Sequence, residues 1–233
     1  GITMDGFAKE GARPKTGWIL HGLCCISSAL KKEGHDVSLI DLRQLTGWDE
    51  LPGVIRNIAP DVVGITMMSL DFNTALKSAR IVKDTNDKIK VIVGGVHPSL
   101  EESELVDKRE IDYVFKGEAE ITLPKILNDI AGGTIKTKVI TGEMPDLDRI
   151  PFADRSLFRI LEAPLVPFLK MPFITIIAGR GCKYNCNFCQ PAERSIFGRR
   201  VRRISPERFI DELAEAKIRI GLFARELVMQ LVF

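Results

Sequence analysis

Asp61-Val62-Val63-Gly64-Ile65-Thr66 is a run rich in β-branched residues, followed by Phe72 to Lys83 and then by Val91-Ile92-Val93-Gly94-Gly95. The two outer runs read as strands, short and rich in Val and Ile. Between them Phe72, Ala75, Leu76, Ala79 and Val82 fall on one side at helical spacing. Strands that are apolar nearly throughout and joined by a helix imply a parallel sheet covered on both faces. The second strand ends in two glycines, where a parallel sheet of this kind places its ligands.

The same alternation extends in both directions. Upstream, Trp18 to Lys32 reads as a helix with Leu20, Leu23, Ile26 and Leu30 on one face, stopped by Gly34. His35 to Asp41 then reads as a strand, and Asp49 to Ile58 as a short helix ending near Pro60. Downstream, a short helix is expected at Leu100 to Val106, a strand at Asp112 to Phe115, and a helix from Glu118 to Ile130, closed by Gly132-Gly133. The pattern predicts a doubly wound α/β domain over residues 1–135. Such a domain opens with a central strand, for which Gly1-Ile2-Thr3-Met4 is a weak candidate, so the true start is expected further upstream.

Residues 136–172 read as a linker, within a stretch from Gly132 to Pro172 that is rich in Pro, Asp and Gly. Asp146 and Asp148 are read there as turn and capping residues. A second unit is expected over residues 173–233. It begins with a strand from Phe173 to Ala178, followed by a cysteine loop. Ser205-Pro206-Glu207 then opens a helix as cap, first residue and dipole partner. Glu226 to Phe233 reads as a further strand.

The chain of 233 residues is 45% hydrophobic, enough for a packed core and against disorder. A formal net charge of +2 gives no general pull towards nucleic acid or an anionic membrane. No apolar run approaches the roughly 18–20 residues that span a bilayer, and Gly1 to Lys15 lacks the pattern of a signal peptide. The expected compartment is the reducing cytoplasm.

Five cysteines make an odd number, and three of them fall within eight residues, which argues against a disulfide framework. Cys24 and Cys25 lie in an apolar helical run and read as buried, inert thiols. The other three stand in Gly179-Arg180-Gly181-Cys182-Lys183-Tyr184-Asn185-Cys186-Asn187-Phe188-Cys189. Thiolates are soft ligands for iron–sulfur clusters or zinc. Structural zinc and ordinary ferredoxin clusters use four protein ligands. Three cysteines on a 4Fe–4S cluster leave one iron open to a substrate or cofactor. A zinc loop completed by a histidine or an outside ligand is the alternative.

The spacing C-x3-C-x2-C, the aromatic before the last cysteine and the Arg-Gly before the first resemble the radical S-adenosylmethionine superfamily. The doubly wound domain in front is similar to the subgroup with an N-terminal cobalamin-binding domain. The similarity is carried by Gly34-His35-Asp36-Val37, Val93-Gly94-Gly95-Val96-His97-Pro98-Ser99, Gly117-Glu118-Ala119-Glu120 and Pro151-Phe152. It continues through Gly198-Arg199-Arg200-Val201-Arg202-Arg203-Ile204-Ser205-Pro206-Glu207. It implies a flavodoxin-like sheet followed by the start of a (β/α) radical barrel.

The resemblance implies that Cys182, Cys186 and Cys189 ligate the cluster and that Phe188 lies near the adenine of S-adenosylmethionine. Cobalamin contacts are expected from Thr66, Ser69, Gly94, Gly95, His97, Gly117 and Glu118. A lower-axial histidine motif D-x-H-x-x-G is absent, and His21, His35 and His97 lie in other contexts.

The expected reaction is cleavage of S-adenosylmethionine followed by methylation of an unactivated carbon. The substrate would be a small molecule or natural product, and the electron donor a flavodoxin or ferredoxin. Alternatives are a non-catalytic cobalamin-binding module, a cyclase or oxidative variant, and a methylthiotransferase. The last needs a further cluster that Cys24 and Cys25 are not spaced to hold. Arg194, Arg199, Arg200, Arg202 and Arg203 form a basic run, read as a solvated or interdomain surface or else as contacts to an anionic group. Nucleic acid is not expected, because aromatic interleaving is sparse. The radical barrel that the resemblance implies has about six strands and helices, so the sequence is expected to be a truncated form that ends within it.

Overall fold

The computed structural model describes residues 20–158, 174–186, 192–219 and 229–232. The first unit is built around a parallel sheet of β1 (Val62–Thr66), β2 (Lys90–Gly94), β3 (Tyr113–Lys116) and β4 (Val139–Thr141), hydrogen-bonded in that order. β1 and β2 run in register from Val62 opposite Lys90 to Thr66 opposite Gly94. Helices cover both faces, which makes this the flavodoxin-like α/β fold expected from the strand pattern.

Period-two alternation sorts the side chains between the faces. Val91 packs with Leu51, Ile55, Ala79 and Val82 from α2 (Leu51–Ile58) and α3 (Phe72–Thr85). Val93 and Val114 continue that face with Ala75, Leu105 and Ile111. Ile92, Tyr113 and Phe115 point the other way, onto Leu30 of α1 (His21–Lys32) and Leu123 and Ile130 of α5 (Thr122–Ala131). α1 also buries its opposite side: Cys24 and Cys25 pack with Ala153 and Phe158 of the segment predicted as linker. The helix stops where the His35 N–H donates to the Leu30 carbonyl at 3.1 Å, with Gly34 at φ 86°.

The structure corrects four local expectations. His35–Asp41 is not a ladder strand. Asp41 is extended (φ −101°, ψ 108°), but no described strand pairs with the segment, and a strand exists only with a partner. The helix expected at Leu100–Val106 starts earlier, as α4 (Val96–Leu100), followed by a single 3-10 turn at Glu102–Glu104. The turn at Gly95 leads straight into α4, and the Ser99 N–H reaches back to the Gly95 carbonyl at 3.3 Å. α5 begins at Thr122 rather than Glu118, because Glu118 and Glu120 are held in ion pairs outside the helix. The segment read as a structureless connector supplies β4, with Val114 opposite Val139 and Lys116 opposite Thr141. Three residues carry too little periodicity to announce a strand, and β3 creates it by pairing.

The second unit holds β5 (Ile174–Ile177) and β8 (Met229–Val232), parallel to each other. It also holds the small antiparallel ladder of β6 (Gly179–Arg180) and β7 (Arg202–Arg203), together with α6 (Ala192–Phe197) and α7 (Pro206–Arg219). Ile176 and Ala216 are buried between β5 and α7, with Ile204, Phe209 and Leu213 around them. Ser205 caps α7 as expected: its Oγ accepts the Arg208 N–H at 3.2 Å. Asp148 accepts the Ser205 N–H at 2.8 Å, and Asp146 accepts the Asp148 N–H at 3.1 Å. These are the turn and capping roles read for the two aspartates. The opening strand at Gly1–Met4 lies outside the described residues. Among the described residues no helix is long and apolar enough to cross a membrane.

Candidate functional site at the carboxyl edge of the sheet

The carboxyl ends of β1 and β2 form an open lip. Thr66, Met68, Ser69, Leu70 and Gly95 are exposed there, Leu70 at 95%. A leucine so exposed beside an exposed methionine is an apolar surface flanked by hydroxyls and backbone amides. That mixture suits a large ligand with an apolar face and an amide rim.

Gly95 is required by the chain itself. Its φ is 108°, and an added Cβ would lie 3.0 Å from the Met67 carbonyl oxygen and 3.1 Å from Thr66 Oγ1. The close approach is therefore between the ends of β1 and β2. Gly94 has only ordinary contacts, with Phe115 at 3.7 Å. Behind the lip His97 is 5% exposed and packs edge-on to Phe72, ring centroids 5.0 Å apart. Its Nδ1 meets Ser69 Oγ at 3.2 Å, and its backbone N–H donates to the Met67 carbonyl. Among the described residues His97 Nε2 has no hydrogen-bond partner, and it lies 3.7 Å from a Glu104 carboxylate oxygen. Gly117 turns at φ 77° and donates its N–H to Ser99 Oγ at 3.0 Å.

Thr66, Ser69, Gly94, Gly95 and His97 are thus brought together at one edge, with Gly117 one strand further on. Glu118 is occupied differently. Its carboxylate is 1% exposed, with one oxygen on Arg180 at 2.5 Å and the other on Arg202. Glu120 takes the second Arg180 nitrogen at 2.6 Å. Burial works against the Arg180 charge, but Glu120 and Glu118 outweigh it and raise its pKa, so the guanidinium stays protonated. Arg202 also donates to the Pro145 carbonyl at 3.0 Å. Of the basic run, Arg202 is taken up by Glu118 and Pro145, while Arg199, Arg200 and Arg203 are exposed.

The cysteine loop leaves β6 directly after Arg180. Gly181 sits at φ 93°, and an added Cβ would lie within 2.4 Å of the Arg200 carbonyl oxygen. The Cys182 N–H donates to the Gly198 carbonyl at 3.2 Å. Cys182 is partly exposed and Cys186 exposed, both as free thiols. Phe188 and Cys189 lie outside the described residues. Two reachable soft donors on one glycine-anchored loop fit the ligand chemistry of an iron–sulfur centre. Cys24 and Cys25 differ: burial first, then mutual repulsion for Cys24 and Glu120 for Cys25, pushes both thiols up to about 12.

The profile of the B12 binding domain matches residues 12–127. The chain carries a B12-binding domain. In a doubly wound fold ligands sit outside the carboxyl ends of the strands, which is where the lip at the ends of β1 and β2 lies. Over 86% of its length the chain is 29% identical to an uncharacterized methyltransferase of Pyrococcus horikoshii, covering 46% of that protein. Over 84% it is 28% identical to the hopanoid C-3 methylase of Methylococcus capsulatus, covering 40%. Over 87% it is 26% identical to the anaerobic magnesium-protoporphyrin IX monomethyl ester cyclase of Rubrivivax gelatinosus, again covering 40%. The chain spans less than half the length of these curated relatives.

In the sequence Arg180 and Glu120 stand only within longer motifs, with nothing that marks a role for either. An Arg-Gly pair before a cysteine loop and two glutamates after a strand-end glycine are the available signals. Neither names its partner, because the two stretches lie 60 residues apart.

Proposed function

We propose that this chain is part of a cobalamin-dependent radical S-adenosylmethionine enzyme that methylates an unactivated carbon of a small molecule or natural product. The observation that carries the reading is the attachment of the C-x3-C-x2-C loop to the carboxyl edge of a B12-binding domain, through Arg180, Glu118 and Glu120. Relatives named as methyltransferases or methylases support the methyl-transfer outcome, and a relative named as a cyclase marks the second reading. The parallel pair β5 and β8, with α7 between them in sequence, is what one unit of a β/α barrel would look like.

In this reading Cys182, Cys186 and Cys189 hold a 4Fe–4S cluster and Phe188 borders the adenine. Thr66, Ser69, Gly95 and His97 line the cobalamin edge, with Gly94 and Gly117 shaping its backbone. Glu118 serves the interdomain ion pairs. When bound, the cluster and cobalamin supply reductive cleavage of S-adenosylmethionine and delivery of a methyl group. The protein's own share is to anchor the loop through Gly181 and Cys182, to present thiolates, and to offer an apolar lip at Met68 and Leu70. An oxygen-sensitive cluster suits a reducing, cytoplasmic location, and a flavodoxin or ferredoxin would serve as electron donor.

Anaerobic reconstitution with iron and sulfide is expected to give about four irons per chain, lost in Cys182→Ala and Cys186→Ala. Stoichiometric zinc with no iron uptake would overturn the reading.

A further inference from the structure

The clasp between the two units is a closed set of buried charges. Arg180 spans Glu118 and Glu120 with separate nitrogens, at 2.5 and 2.6 Å, and Arg202 takes the other Glu118 oxygen. The four side chains are 1–18% exposed. Two carboxylates face two guanidiniums, so the set is neutral. Each end is stiff. Glu118 follows Gly117 at the carboxyl end of β3, and a Cβ on Gly142 at the end of β4 would collide with the Glu118 carbonyl oxygen. Arg180 and Arg202 face each other in the β6–β7 ladder. From Arg180 the chain needs one residue, Gly181, to reach Cys182.

We propose that Arg180 is a positioning residue: gripped by Glu118 and Glu120, it fixes the cysteine loop against the carboxyl edge of the B12-binding sheet and thereby sets the separation between the thiolates and the cobalamin edge. The consequence for chemistry rests on the function proposed above, whereas the grip itself does not. A planar fork reaching two carboxylates cannot be copied by an ammonium, which is a point charge. Arg180→Lys therefore keeps the charge but loses the two separate nitrogens that meet Glu118 and Glu120, and so weakens the grip.

The test compares the unaltered chain with Glu120→Gln, Arg180→Lys and Arg180→Met. Amide exchange over residues 179–186 is expected to rise roughly tenfold in Glu120→Gln and more in Arg180→Met, with Arg180→Lys between them. Exchange in β1, β2 and β3 is expected to stay unchanged, which separates a released loop from a failed fold. Unchanged exchange at 179–186 in Glu120→Gln and Arg180→Lys would overturn the proposal, as would equal loosening of β1 to β3 in these two milder variants. In chains loaded with hydroxocobalamin, iron and sulfide and then reduced, the magnetic broadening of the cob(II)alamin signal by the cluster is expected in the unaltered chain. Arg180→Lys should lose it at equal iron and cobalt content, and its retention there would overturn the positioning role. Absence of iron from the unaltered chain would sink the proposed function alone, since the exchange comparison decides the grip without any cofactor.

Discussion

Arg155 and Glu212 form an ion pair at 2.7 Å, with side chains 2% and 7% exposed, joining residues 57 apart in the chain. The arginine belongs to a one-turn helix at Arg155–Leu157, and the glutamate to α7. The segment that follows β4 is thereby tied to α7, while the neighbouring Asp154 is held by Lys31 and Ser27 of α1.

Glu212→Ala removes the Glu212 carboxylate from the buried Arg155 guanidinium. Breaking a buried pair in this way typically costs about 3–5 kcal/mol, whereas replacing both partners by apolar residues costs far less. Urea unfolding of Glu212→Ala is expected to show a loss in that range, and the double change Arg155→Met with Glu212→Leu a smaller one. Equal losses in both would contradict the buried-charge account.

Asp154 gives the structure an acid-sensitive point. Burial alone would raise its pKa, but hydrogen bonds from Lys31, Ser156 and Ser27 outweigh burial and hold it at about 2. The folded value lies below the unfolded one, near 3.8. Its stabilisation is therefore complete above pH ~4 and disappears as pH falls towards about 2. Discounted for solvent screening, the contribution is on the order of 1 kcal/mol. In unfolding measured from pH 6 down to pH 2, Asp154→Asn should fall below the unaltered chain at the upper end and converge with it at the lower. A constant gap across the range would count against the assignment.

Gly95→Ala places a methyl group 3.0 Å from the Met67 carbonyl and puts an L side chain at φ 108°. Strain of that kind costs of order 1–3 kcal/mol. The variant is expected to unfold at lower urea and to bind hydroxocobalamin more weakly, because the shifted atoms include Thr66 Oγ1. Gly94→Ala, with only a 3.7 Å contact, should be much milder, and a reversed order would refute the geometry.

Cysteine reactivity should divide cleanly. Cys24 is 0% and Cys25 5% exposed, with both thiols near 12. At pH 8 their thiolate fraction is only about one in ten thousand. Brief treatment of the folded, metal-free chain with iodoacetamide is expected to label Cys182 and Cys186 and to spare Cys24 and Cys25. Peptide mapping that finds Cys25 alkylated first would refute their burial.

The sheet was legible because apolar period and length are local properties. Val91, Ile92 and Val93 announce a strand whatever follows, and Leu123, Ile126 and Ile130 announce a helix. Expectations failed where pairing decides: His35–Asp41 has a strand's composition but no described partner, while Val139–Thr141 has little composition and a partner in β3. The cysteine spacing was equally plain, since Cys182 and Cys186 share one loop.

By itself, the order of residues set the parallel α/β domain, the inert burial of the paired cysteines and the chemistry available to the loop. Only the folded chain decided that Glu118 meets Arg180 and Arg202 instead of the open lip, and that Gly95 serves a contact between strand ends. The physical reason is range. Hydrophobic period acts over a few residues, whereas the partner of a buried charge is chosen by how distant segments close on one another, where desolvation leaves no charge tolerable without its counter-charge.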